Sequence, residues 1–315
     1  MFCHNKNRSV RHICVGRFLI ALTASFFCVA CHHPELVRLY GEAQGTYYSI
    51  LYYDDRQRNF GPQIDSLLDE FDLTASLWVD RSLVRRINAN LTDTLNPLMA
   101  ELVEHSLFAN RYSEGAFDCR IGRLVQAWGF SFRQREEPDA KSLDSLMLYA
   151  RGSIAIDSSD TPMRLRKEYP QTELDFNAIA QGYASDLLAA YFDQQGIERY
   201  LIDIGGEVIA RGRKPDGTPW IVGVEQPAED RYSEPVVQTA IALCDSSVVT
   251  SGSYRKYYEK DGTRYSHTID PATGRPVNHS LLSVTVVEKE CWMADAMATA
   301  YMVMGLDSAK RFIAN

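Results

Sequence analysis

The sequence predicts an α+β fold of mixed, largely antiparallel sheets with flanking helices, in one unit or two lobes. Three observations predict it. Runs that alternate apolar and polar residues and are rich in Val, Ile and Tyr recur along the chain, most densely in its second half. Such alternation turns one side-chain face to a core and the other to solvent, as a strand requires. Longer stretches instead repeat apolar residues at helical spacing. Finally, no internal repeat and no linker interrupts the chain after residue 45. The 315 residues, 45% hydrophobic and 23% charged, suffice for a large shared core.

The elements follow in order. Residues 1–30 carry Lys6, Arg8, Arg11 and Arg17, no acid, and then the apolar run "FLIALTASFFCVA" (18–30). A basic start, a short apolar stretch and a small residue before the cut describe a secretory signal peptide. The run is short of the ~20 residues that a membrane span needs. Ala30–Cys31 resembles a bacterial lipoprotein cleavage site, with Cys28 where leucine is usual. Lipidation at Cys31 is expected; a simple cleaved signal is the plainer alternative. The mature protein would then belong to the cell envelope, facing the periplasm and held to a membrane by its lipid. Residues 31–40 read as a lipidated tether and 41–315 as the folded domain.

Within that domain "TYYSILYYDD" (46–55) alternates and reads as a strand. Ile64, Leu67, Leu68 and Phe71 mark a helix over 61–78. A second helix spans 96–115, with Asn96 as cap, Pro97 at the first position and Gly115 at the stop. "SFRQREEPDAKS" (131–142) reads as a polar surface loop. "GSIAIDSS" and "PMRLRKEY" read as short strands, followed by a helix over about 177–193. "RYLIDIGGEVIARG" (199–212) is a strand pair or a bulged strand, broken at Gly205–Gly206. "PWIVGVEQP", "VQTAIALCD" and "SVVTSG" extend the β-rich half. A strand over 281–289 and a helix over 291–305 complete the domain.

Charge and cysteine content narrow the function. The formal net charge is −8 and no long basic run follows residue 30, which argues against a nucleic-acid partner. Beyond residue 30 only Cys31, Cys119, Cys244 and Cys291 remain. They form no CxxC, so neither a zinc site nor a redox pair is expected. Buried free thiols are expected; one disulfide stays open, and the sequence does not choose it.

Several short patterns could carry chemistry. Asp295 and Thr299 in "ADAMAT" stand four apart, so a helix stacks them on one face. A carboxylate and a hydroxyl are hard oxygen donors, suited to Mg²⁺. The plain alternative is a capping acid and a core threonine. His267 precedes the turn-rich "DPATGRP" and could serve as a general base, or simply lie on the surface. In "SEGAFDCR", Gly115 and Ala116 would let a ligand near the backbone, Phe117 could pack on a ring, and Asp118 could accept from it. A helix stop beside a buried aromatic would look the same. "LDFNAIAQGYASD" (174–186) sets small residues between two acids. None of these resembles a Walker loop or a dinucleotide fingerprint.

Their order is more specific than any one of them. Gly45–Thr46 before a strand, "SLWVDRSLVRRIN", "SEGAFDCRIGRLVQAWGF", "LDFNAIAQGYASD", "DIGGEV", "TSGSYR", "SHTIDPATGRP" and "ADAMATA" together resemble the ApbE-type FAD:protein FMN transferases. The resemblance runs from about residue 41 to 305. It implies an exported or lipid-anchored bacterial enzyme that binds FAD and Mg²⁺. Such an enzyme passes FMN to a threonine of an acceptor flavoprotein and releases AMP. Acceptors of the family include subunits of membrane redox pumps.

The resemblance also implies a set of site residues. Metal ligands would be Asp295, Thr299 and the main-chain carbonyl of Ala178. Flavin-nucleotide contacts would fall on Gln44, Trp78, Ala116, Phe117, Asp118, Asp175, Gln181 and Ile269. His267 is the candidate base for the incoming threonine hydroxyl. The small residues of 174–186 would let phosphate and metal approach, with Asp186 structural.

Three departures stand out. Gln44 replaces a usual methionine, Gln181 replaces an acid or lysine, and the sequence stops at Asn315, where relatives continue into a further strand. It therefore reads as truncated there. Altered affinity, not lost activity, is expected from the two glutamines. Two other functions remain open on the same fold: an Mg²⁺-dependent FAD pyrophosphatase, and a non-catalytic FAD-binding lipoprotein.

Overall fold

A computed structural model describes residues 34–130, 138–159, 161–227, 236–253, 257–260 and 263–314. Cys31 and the signal segment 1–30 lie outside them. The chain begins with a hairpin of β1 (Glu35–Ala43) and β2 (Thr46–Asp54), paired along its whole length. Gln44 and Gly45 join them with φ of 53° and 73°, the positive values that a two-residue type I′ turn requires. The tether expected over 31–40 is thus strand from Glu35 onward. Arg38, Tyr40 and Glu42 face solvent while Val37 and Leu39 pack on the core. Charges at these positions suit an edge strand.

Three helices follow. α1 (Gly61–Ala75) buries Ile64, Leu68 and Phe71. α2 (Leu83–Asn88) is capped by Ser82. α3 (Pro97–Tyr112) starts at Asn96, whose Oδ1 accepts from the Met99 amide at 2.8 Å. Next come α4 (Gly122–Ala127) and α5 (Ala140–Arg151). Of the loop expected over 131–142, residues 131–137 lie outside the described residues, and α5 takes only Ala140–Ser142 from its end. Asp139 caps it, and Leu143, Met147 and Ala150 bury one face. Three apolar anchors among polar residues are enough when a neighbour receives them.

β3 (Ile154–Asp157) and β4 (Arg164–Lys167) form a hairpin. Then come α6 (Ala180–Gln194), β5 (Tyr200–Ile204) and β6 (Glu207–Arg211), the last two hinged at Gly205–Gly206. The rest comprises β7 (Trp220–Glu225), β8 (Val237–Leu243), β9 (Ser246–Gly252), β10 (Tyr257–Lys260), β11 (Thr263–Ser266), β12 (Ile269–Asp270), β13 (Arg275–Pro276), β14 (Ser283–Glu288) and α7 (Cys291–Ala314).

The organising sheet is antiparallel and six-stranded, in the order β1-β2-β5-β6-β9-β14. Its core face carries Ile50, Tyr52, Ile202, Ile204 and Ile209, buried under α1, α3, α6 and α7. A second core joins α4, α5 and β12 through Leu124, Trp128, Leu143, Met147 and Ile269. Residues from His33 onward group as one unit, not as two lobes.

α7 is broken at Gly305 (φ 73°, ψ 168°). The Met302 carbonyl, left short of a helical partner by the break, accepts from His279 Nε2 at 2.7 Å. Cys119 and Cys291 are buried free thiols and Cys244 is a half-buried one. Among the described residues no helix is long and apolar enough to cross a membrane.

Candidate active site

The site is built on the seam between α6 and α7. Gly182 has no side chain because none fits: a Cβ there would stand 2.5 Å from the Cys291 carbonyl oxygen and 2.8 Å from Asp295 Cβ. The helices therefore meet backbone to side chain. In an uninterrupted helix the Gly182 amide would bond the Ala178 carbonyl. Here it donates to Asp295 Oδ2 at 3.1 Å. Asp295 is buried, and burial pushes its carboxyl well above the usual range; the Gly182 amide and the charge of Asp186 act second and third. One turn along α7, Thr299 Oγ1 lies 3.3 Å from Ser251 Oγ at the end of β9. A buried carboxylate and a hydroxyl pair one turn apart are hard oxygen donors, which suit a small hard cation. Among the described residues no group of three His, Cys, Asp or Glu could hold a metal instead.

The start of α6 also meets two turns of the β-sheet. A Cβ on Gly205 would lie 3.1 Å from Gln181 Nε2 and 2.7 Å from Thr46 Cγ2. Gln181, the Gln44–Gly45–Thr46 turn and the Gly205 hinge are therefore neighbours of the Asp295 seam. The side-chain oxygen and nitrogen of Gln44 are buried without hydrogen-bond partners among the described residues.

A second group forms around the end of α3. Glu114 and Gly115 turn the chain with φ of 55° and 87°. Ala116 follows half-buried and Phe117 is buried. Asp118 is already engaged: its Oδ1 accepts from the main-chain amide and Nε of Arg120, and its Oδ2 from Nη2 at 2.6 Å. Asp175 joins this group through its amide, which donates to the Cys119 carbonyl at 2.7 Å. Burial raises the Asp175 carboxyl, and the Asn177 amide bonds it at 2.9 Å. Residues 175–182 thus run from this group to the seam. Trp78 is exposed just past α1.

His267 stands at the entrance to β12, its ring edge-on to Phe130 at 6.4 Å. The Ile269 side chain is spent in the second core. A groove lined by Glu104, His105, Leu107, Phe108, Arg111 and Trp292 includes none of the expected site residues.

The ApbE family profile matches residues 44–315. This chain belongs to the ApbE family. It is 36% identical over 297 residues to the FAD:protein FMN transferase of Vibrio cholerae serotype O1, covering 91% of this chain and 87% of the relative. Against the FAD:protein FMN transferase of Escherichia coli K12 it is 34% identical over 310 residues, covering 93% and 88%. The crystal structure of the apo form of the Pseudomonas stutzeri flavinyl transferase ApbE superposes with a TM-score of 0.78 at 32% identity, covering 89% of this chain and 88% of that one. The α+β architecture is that of these ApbE structures.

Within this ApbE chain three residues matter that the sequence reading left aside. Gly182 serves helix contact, so the small residues of 174–186 are not all there to admit a ligand. Ser251, in the "TSGSYR" motif, partners Thr299. Arg120 occupies Asp118; the "DxR" spacing in "DCR" was the available signal. Asp186 is structural, as expected, and in a specific way. Its two oxygens accept from the Cys291 and Trp292 amides at 3.0 and 2.7 Å, capping α7 from another helix. Burial raises its carboxyl to about 7, against those same two amides.

Proposed function

We propose that this protein transfers FMN from FAD to a threonine hydroxyl of an acceptor flavoprotein, releasing AMP. The observation that carries this reading is the α6–α7 seam. Asp295 is a buried carboxylate with an amide partner but no cation among the described ion pairs, one turn from a hydroxyl pair, in a chain of the ApbE family. The names of the curated relatives, FAD:protein FMN transferase, support the same chemistry.

In this reading the threonine oxygen attacks the phosphorus on the FMN side of the pyrophosphate. The bond to the AMP oxygen breaks and AMP leaves with it. His267 accepts the hydroxyl proton as the oxygen attacks. Asp295, Thr299 and the Ala178 carbonyl hold Mg²⁺. That ion, when bound, neutralises charge developing on the pyrophosphate. Trp78 offers its exposed ring for stacking. Asp118 and Asp175 accept from ligand donors. Ala116, Phe117 and Ile269 shape the pocket, and Gln44 and Gln181 offer amides beside it. The acceptor is a second chain of the redox-pump subunit type. The protein is exported and lipid-anchored at Cys31; incorporation of labelled fatty acid, abolished by Cys31→Ala, tests that part.

The experiment for the reaction is incubation with FAD, Mg²⁺ and a flavoprotein domain bearing the acceptor threonine, read as in-gel flavin fluorescence and as AMP. A fluorescent band with equimolar AMP supports transfer. AMP without a band makes the protein a pyrophosphatase. Neither product, with FAD still bound, leaves a flavin-binding protein.

A further inference from the structure

Asp186 plays no part in the reaction as described, yet it is a costly residue. A buried carboxylate whose charge also raises Asp295 is unfavourable unless something compensates. Its visible task is to cap α7, and a local residue could do that. The position just before the helix is Glu290, whose carbonyl accepts from the Ala294 amide at 3.2 Å. Its side chain is turned away to Lys289 at 3.4 Å. A serine or aspartate at 290 would satisfy first-turn amides without recruiting α6. What a cap from α6 adds is position.

Gly182 and Asp186 stand four apart, on one face of α6. Gly182 donates to Asp295, while Asp186 accepts from Cys291 and Trp292. The two ties run in opposite senses and are one turn apart on both helices. Together they fix sliding and rotation of α7 against α6. The oxygens of Asp295 and Thr299 belong to α7, and the Ala178 carbonyl belongs to the segment leading into α6. Their separation therefore depends on the register of this seam.

We propose that Asp186 is a positioning residue for the cation site: by tying the first turn of α7 to α6 it sets the distance between the donors on the two segments. This rests on the metal reading of the proposed function. Residues that orient ligands from behind typically change metal affinity about 10–100-fold when altered.

The test uses Mn²⁺ as probe, with free Mn²⁺ read by electron paramagnetic resonance at a temperature where each variant is folded in chelator. Asp186→Ala loses both hydrogen bonds to the first turn of α7. Asp186→Glu keeps the charge but displaces the carboxylate. Asp186→Asn keeps the shape and one acceptor oxygen. Mn²⁺ affinity is expected to fall about 10–100-fold in Asp186→Ala and Asp186→Glu, and less in Asp186→Asn. Should Asp186→Ala fail to fold, the other two variants carry the comparison. Melting temperatures that drop while Mn²⁺ affinity stays within about twofold of the parent would reduce Asp186 to an ordinary cap. A wild-type affinity in Asp186→Glu alone would assign the effect to charge and also overturn the positioning role. Asp295→Ala is the control: if it binds Mn²⁺ as the parent does, the metal reading has failed, and this proposal with it, for a reason the Asp186 variants do not mimic.

Discussion

Two carboxylates, the buried Asp295 and the half-buried Asp118, live under opposite conditions. Asp118 has an arginine: Arg120 grips both its oxygens, and the pair is largely withdrawn from solvent. Asp295 has an amide and a repelling neighbour. The first is a finished ion pair, whose removal by halves leaves a stranded charge. The second has no cation among the described ion pairs, the place that the proposed metal would fill. Both are expected ligand contacts, but Asp118 already has a cation within the chain and Asp295 has only an amide.

That contrast can be broken most directly at Asp295. Asp295→Asn should abolish Mn²⁺ binding and bring flavin transfer below about 1% of the parent rate. In chelator it should melt no lower than the parent, because a buried uncompensated charge has been removed. A large drop in melting temperature would show that Asp295 is structural after all. Arg120→Ala should do the reverse. Urea denaturation should show a loss of about 3 kcal/mol with Mn²⁺ affinity unchanged; a matching loss of affinity would dissolve the distinction.

A smaller effect is expected at Gly182. Gly182→Ala pushes a methyl group into the Cys291 carbonyl and should cost about 2 kcal/mol by overpacking, again read in urea. Wild-type stability would mean that the seam gives way easily. The pH response sharpens the contrast further. Burial raises Asp295 and Asp186 above the unfolded carboxylate value, so the folded state holds their protons more tightly. Their contribution to metal-free stability is therefore present below about pH 4 and lost as pH rises through about 7. Mn²⁺ must displace the Asp295 proton, so its affinity should fall about tenfold per unit on the acid side of that range. A flat profile would contradict the raised carboxyl. Least of all, Gln181→Lys should shift the FAD dissociation constant only a few-fold, about one hydrogen bond's worth; no change in binding or turnover would remove Gln181 from the site.

Much of this was legible in the residues. Asn96–Pro97 announced α3 because the cap and the fixed proline φ act locally. Gly205–Gly206 announced the β5–β6 hinge for the same reason. The stacking of Asp295 on Thr299 followed from helix geometry alone. What stayed hidden depends on partners distant in sequence. β1 reads as a tether until β2 pairs with it. Most of α5 carries no reading at all until Leu124 and Trp128 receive its anchors. Gly182 looks like room for a ligand until Cys291 fills that room. Asp118 looks available because nothing in a string of letters shows that Arg120 turns back two residues to take it.

The break at Gly305 has its own consequence for how the protein breathes. Upstream, α7 is anchored at its first turn by Asp186 and at Met302 by His279. Downstream, residues 306–314 bury Ala309 and set Phe312 against Tyr112 and Tyr301. Fraying that starts at the downstream end meets a stop at 305 before it reaches the turn of Asp295 and Thr299. Amide protons of 306–314 should therefore exchange with solvent deuterium well before those of 294–300, and the order should hold with or without metal.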